Sequence, residues 1–112
     1  MNRKPLVPMI ALAVLLAWTA PAWAQEPVLR LTLKAHRFEP AELQAPAGTK
    51  ILLVIKNEDS TPEEFESKDL KREKVIPGGG EVTIRIGPLK PGTYEFFGEF
   101  NPQTARGRLV VK

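Results

Sequence analysis

YEFFGEFNPQTARG, residues Tyr94–Gly107, followed by the apolar run Arg108-Leu109-Val110-Val111-Lys112, is the stretch on which the fold reading turns. An aromatic strand over Thr93–Phe97 enters a short polar loop and returns as a second strand. Side chains alternate along an extended chain, so Tyr94 and Phe96 share one face and Phe97 takes the other.

Working outward, the same period of two recurs. Glu81–Ile86 (EVTIRI) puts Val82, Ile84 and Ile86 on one side, and from Val28 onward Leu29, Leu31 and Leu33 alternate with Arg30, Thr32 and Lys34. Lys50–Asn57 (KILLVIKN) is apolar almost throughout, which predicts a central strand covered on both faces. Pro40 lacks an amide donor and restricts Glu39, so the first strand is expected to end or bulge near His36, with a short strand over Ala41–Ala45 after it. Turns are expected at Pro46–Thr49 and Gly87–Gly92, and Gly78-Gly79-Gly80 is read as a hairpin connection. Three carboxylates among Glu63, Glu64 and Glu66 argue against a core strand there. Lys68–Lys74 (KDLKREK) is read as an exposed excursion, at most one helical turn. The pattern predicts an all-β Greek-key sandwich of about seven strands.

Not all of the 112 residues belong to that sandwich. Asn2-Arg3-Lys4, the apolar run Ile10–Ala20 and the small-x-small site Ala22-Trp23-Ala24 form the three parts of a secretory leader. The expected division is therefore a signal peptide at 1–24, cut after Ala24, and a periplasmic domain at 25–112. The run is well short of the ~20 residues that span a bilayer, so no retained membrane span is expected.

Cleavage changes the composition. Two of the 16 basic residues, Arg3 and Lys4, leave with the leader, so 14 face 13 acidic ones and the balance is near neutral. No basic stripe appears, which argues against nucleic acid. Both Met and both Trp also lie in the leader, leaving a domain with no Cys, no Met and one histidine, His36. It must hold together by packing, without disulfides. No catalytic set can be assembled around one histidine with no obvious nucleophile, and no His-Glu-x-x-His or Cys cluster exists, so no enzyme is expected. The glycine run at 78–80 lacks the following helix and lysine of a phosphate-binding loop.

The succession HRFEP (36–40), PAG (46–48), NEDSTPEEFES (57–67), VIPGG (75–79), LKPGTYEFF (89–97) and GRLVV (107–111) resembles the cupredoxin-like domains of bacterial periplasmic proteins. More narrowly, it is similar to the small EfeO- and FtrB-type copies associated with iron uptake. The likeness covers essentially the whole domain. It implies a cupredoxin-like sandwich, an inner-membrane iron permease and other uptake components as partners, and a metal ion as cargo. In electron-transfer cupredoxins, copper is held by two His, one Cys and a weak axial Met. The resemblance places those ligands at Glu63, Gly98, Asn101 and near Ala105, and none is a donor of the required kind. Without any Cys or Met, no blue copper centre is possible.

The narrower relatives resemble this chain in carrying Glu at the first of those positions. Their Glu-Phe-Glu unit, here Glu64-Phe65-Glu66, looks like part of a metal site. With Phe65 turned inward, Glu64 and Glu66 project from one face roughly 6 to 7 Å apart, a spacing that can clamp a hard cation. The plainer alternative is a solvated acidic rim. His36 is either a third ligand or an ordinary strand-end histidine. Glu63, Glu73, Glu99 and Asn101 are secondary candidates, Glu73 being set among Lys71, Arg72 and Lys74, whose charges oppose a cation. Carboxylate and imidazole donors without sulfur favour iron, manganese or copper(II) over copper(I). A ferroxidase would need a redox metal or partner that the sequence does not supply. A metal-free interaction module is the alternative function.

Overall fold

The computed structural model describes residues 2–5 and 26–112, so the leader's apolar run and the cut after Ala24 lie outside the described residues. Nine strands follow in order: β1 (Val28–Lys34), β2 (Arg37–Glu39), β3 (Glu42–Ala45), β4 (Ile51–Asn57), β5 (Glu63–Ser67), β6 (Arg72–Ile76), β7 (Glu81–Ile86), β8 (Gly92–Gly98) and β9 (Arg106–Val111). They form a four-stranded sheet, order β2-β1-β4-β7, and a five-stranded sheet, order β3-β9-β8-β5-β6. Parallel pairing of β1 with β4 and of β3 with β9 gives each sheet a mixed direction. Among the described residues no helix is long and apolar enough to cross a membrane.

The core follows from the alternation. Leu31 and Leu33 of β1, Ile51, Leu53 and Ile55 of β4, and Ile84 and Ile86 of β7 point inward from one sheet. Phe65, Ile76, Phe96, Leu109 and Val111 meet them from the other. Phe38, Phe65 and Phe96 form the centre, with ring centroids 5.2 to 6.3 Å apart and two of the three pairs edge-on, the arrangement that aromatic quadrupoles favour.

Several expectations need correction. Glu63–Ser67 is a strand, and an internal one, between β6 and β8. Its alternation puts Glu63, Phe65 and Ser67 inside and Glu64 and Glu66 outside. Arg72–Ile76 is a strand rather than an exposed excursion, and it tolerates its charges because it is the sheet's edge. The glycine run at 78–80 is no hairpin, since β6 and β7 belong to different sheets. β4 is central but covered on one face only, with Leu52 and Val54 half-buried on the outside.

The segment near His36 does not simply end a strand. Ala35 and His36 both adopt left-handed backbone (φ 50° and 55°), forming a two-residue turn that folds β2 back onto β1. Such a conformation is costly for residues other than glycine. Here it is held by Asp59, whose carboxylate accepts from the amides of Ala35 (2.8 Å) and His36 (2.9 Å). The His36 amide, followed by that of Ala35, keeps Asp59 below its ordinary pKa, against an opposing push from desolvation. Because folded Asp59 takes up its proton less readily than the unfolded chain does, this stabilisation is complete above the usual carboxylate range. It is lost as pH falls through the lowered value. Asp59→Ala is therefore expected to cost about 1–2 kcal/mol in urea unfolding at neutral pH. The difference from the wild type should close in strong acid.

Candidate metal centre

Two adjacent groups of side chains stand where the sequence places candidate ligands, one inside β5 and one outside. On the outside, Glu64 and Glu66 share the solvent face of β5, and Glu73 of β6 lies directly across from Glu66. Carboxylate oxygens of all three come within 4.8 Å of one another. Among the described residues none of the three is ion-paired with a lysine or arginine. Arg72 turns away, its Nε donating to the Arg85 carbonyl and its Nη1 to that of Lys71. Lys68, Lys71 and Arg72 do line a shallow hollow together with Glu66 and Glu73. Crowding shows in the protonation of Glu64, which is pushed up to about 7. The first cause is a hydrogen bond with Glu73 that needs a proton between the two carboxyls; desolvation and the charges of Glu73, Glu66 and Glu99 follow. A cation seated here would replace that proton.

Glu73 thus joins Glu64 and Glu66 in the cluster, and its basic sequence neighbours fail to block it because strand alternation turns Arg72 and Lys74 away from its face. The signal was available: reading 63–76 as a hairpin around Lys68–Lys71 sets Glu73 opposite Glu66. Glu99 flanks the cluster, its amide donating to the Glu64 carbonyl at 2.8 Å. His36 is not brought to it. It sits half-exposed in the β1–β2 turn of the other sheet, with Nδ1 3.6 Å from Asp59 Oδ2.

Inside β5, the four positions that match copper ligands do converge. Glu63 is 1% exposed. Its carboxylate accepts from the amides of Phe100 (2.7 Å) and Glu64 (3.0 Å) and from Asn101 Nδ2 (2.6 Å). Gly98 donates to the Ala105 carbonyl, and Ala105 to that of Asn101, so the loop closes on itself. A Cβ at Gly98 would lie 2.6 Å from Glu63 Cδ and 2.7 Å from the Ala105 methyl. One carboxylate and one amide, already bonded to each other, with neither thiolate nor imidazole, do not fit a blue copper centre. Both carboxylate oxygens of Glu63 accept hydrogen bonds, and Asn101 is tied to one of them through Nδ2.

Comparison with other proteins agrees with this frame. Residues 6–111 match the profile of the family described as Cupredoxin-like domain. The chain is 47% identical over 83 residues to the uncharacterized protein RP394 of Rickettsia prowazekii (strain Madrid E), across 74% of this chain and 66% of that protein. Its fold is similar to auracyanin A, a blue copper protein of Chloroflexus aurantiacus (TM-score 0.67, 14% identity, 79% of this chain and 100% of that one). It is similar too to the metal-binding domain of the Cu(I)-exporting ATPase CopA of Streptococcus pneumoniae D39 (TM-score 0.65, 20% identity, 76% and 84%). A third likeness is to a purple cupredoxin of Nitrosopumilus maritimus (TM-score 0.58, 19% identity, 74% and 98%). With its two mixed sheets and the match to the family profile over residues 6–111, the chain belongs to the cupredoxin-like domain family.

Proposed function

We propose that this protein is an exported metal-binding accessory of an iron-uptake system, in which Glu64, Glu66 and Glu73 hold the ion through oxygen. The observation that carries the reading is the convergence of three carboxylates, none of them ion-paired with a lysine or arginine among the described residues. Hard oxygen donors without sulfur suit Fe(III), Mn(II) and Cu(II), with Cu(II) above Mn(II) in the ordinary order of divalent affinities. The choice of iron, and delivery to an inner-membrane permease, come from the resemblance to uptake-associated domains.

Calorimetric titration of residues 25–112 with Fe(III) chelate, Mn(II) and Cu(II) tests it. At least one ion is expected to bind more tightly than about 100 µM, near −5.5 kcal/mol. Glu64→Ala/Glu66→Ala should weaken binding at least tenfold, while His36→Ala leaves it unchanged. Because the ion displaces a proton, affinity should fall by about tenfold per pH unit below 7. The apo domain carries the opposite linkage. Glu64 has a raised folded pKa, so its contribution to stability is full below the ordinary glutamate value and is lost as pH rises toward about 7.

A second reading, a metal-free interaction module, is favoured by the exposure of Phe100 (51%) and Val75 (50%). Absence of binding by all three ions would select it.

A further inference from the structure

The two sheets present outer faces of opposite charge. On the four-stranded sheet, five basic residues, Arg30, Lys34, Arg37, Lys56 and Arg85, are exposed, against two acids, Glu39 and Glu81. The register aligns them in rows: Val28 with Leu52 and Arg85, Arg30 with Val54 and Thr83, Thr32 with Glu39, Lys56 and Glu81, and Lys34 with Arg37, so both acids fall in one row. Val28, 49% exposed, and the half-buried Leu52 and Val54 therefore form an apolar strip at one end of the face, flanked by Arg30, Lys56 and Arg85. Two of the five cations have contacts of their own: Lys56 Nζ donates to the Gly79 carbonyl, and Arg85 lies 3.9 Å from Glu26. Arg30, Lys34 and Arg37 form no ion pair among the described residues. The outer face of the five-stranded sheet is the reverse, with Glu42, Glu95 and the three clustered glutamates against Arg106 and Arg108.

We propose that the outer face of the four-stranded sheet docks peripherally on an anionic lipid bilayer, turning the glutamate face toward the water. Charge complementarity selects this occupant. Each lysine or arginine near an anionic leaflet adds to the attraction, and a shallow apolar strip at one end of the face can settle among the headgroups. A second copy fits less well. Four strands about 4.8 Å apart and about 20 Å long offer roughly 400 Å², half of the ~800 Å² per partner in a stable complex. Laying the basic face of one copy on the acidic face of the next also makes a contact that does not close.

The test is cosedimentation of residues 25–112 with phosphatidylglycerol-containing vesicles and with pure phosphatidylcholine vesicles. All nine strands and the buried core lie within that fragment, and removing the apolar run ensures that it is not what binds. A chelator excludes cation bridges between the glutamates and lipid phosphate, which separates this result from the metal reading. The domain should pellet with the anionic vesicles alone and be released at about 0.5 M salt, where the screening length falls below ~5 Å. Arg30→Glu/Lys34→Glu should weaken binding at least tenfold. Arg106→Glu/Arg108→Glu, with the same change in net charge on the opposite face, should retain it. The proposal is overturned by equal pelleting with both vesicle types or by no pelleting with either. Equal loss in the two double variants, which would mark net charge alone, also overturns it. So does salt-sensitive self-association without vesicles, which would mean that the face meets another copy.

Discussion

Glu63→Ala is expected to destabilise the domain by about 4 kcal/mol, the largest effect of any polar substitution considered for this fold. Removing the carboxylate strands three donors at once: the amides of Phe100 and Glu64 and the side-chain amide of Asn101. Each buried group left without a partner costs about 1–3 kcal/mol, and the vacated space adds a cavity penalty. The loss should appear as a lower urea midpoint with an unchanged slope. Glu63→Gln is the informative companion. One of its amide positions is a donor facing other donors, so it should recover only part of the difference. An unchanged midpoint for Glu63→Ala would mean that the loop from Gly98 to Ala105 is held by its own backbone bonds.

Asn57→Ala should cost about 3 kcal/mol. Asn57 is fully buried, and its side chain ties the β4–β5 loop to β6 through three bonds: Nδ2 donates to the carbonyls of Thr61 (2.9 Å) and Ile76 (3.2 Å), while Oδ1 accepts from the Asp59 amide (3.0 Å). At about 1 kcal/mol or more for each group left unpaired, the sum is large for a domain of this size. Asn57→Asp tests the direction of the bonds. It keeps the acceptor for Asp59 but offers no donor to the two carbonyls, and its charge would be buried, so it should be at least as damaging. A loss under about 1 kcal/mol for Asn57→Ala would show that water replaces the side chain.

These two residues also show where the sequence is readable and where it is not. The strands of Leu29, Leu31 and Leu33 and of Val82, Ile84 and Ile86 are legible because apolar alternation states both the strand and its inward face. β5 is not legible as a core strand, because Glu63 violates the rule that carboxylates stay outside. Its partners, Phe100 and Asn101, lie 37 and 38 residues away and are brought to it only by the fold. The turn at Ala35-His36 lacks the glycine or asparagine that marks a left-handed turn, since the force holding it comes from Asp59 in a distant loop. In the candidate site, the shared face of Glu64 and Glu66 follows from parity alone. Glu73 becomes their neighbour only through the β5–β6 register. The lack of a blue copper centre is readable from the absence of Cys and Met in the domain, whereas the buried Glu63 at the matching corner is visible only in the structure.

The position of β9 has a consequence for the order of events in folding. Although it is ninth in the chain, it lies inside its sheet, hydrogen-bonded to β3 on one side and β8 on the other. Until Arg106–Val111 are available, β3 has no partner in that sheet and Phe96 lacks its cross-strand neighbour Gly107. The four strands of the other sheet are complete by Ile86, but their apolar inner face is left without Leu109 and Val111 to cover it. The domain is therefore expected to commit to its structure only once the strand that closes the second sheet has emerged.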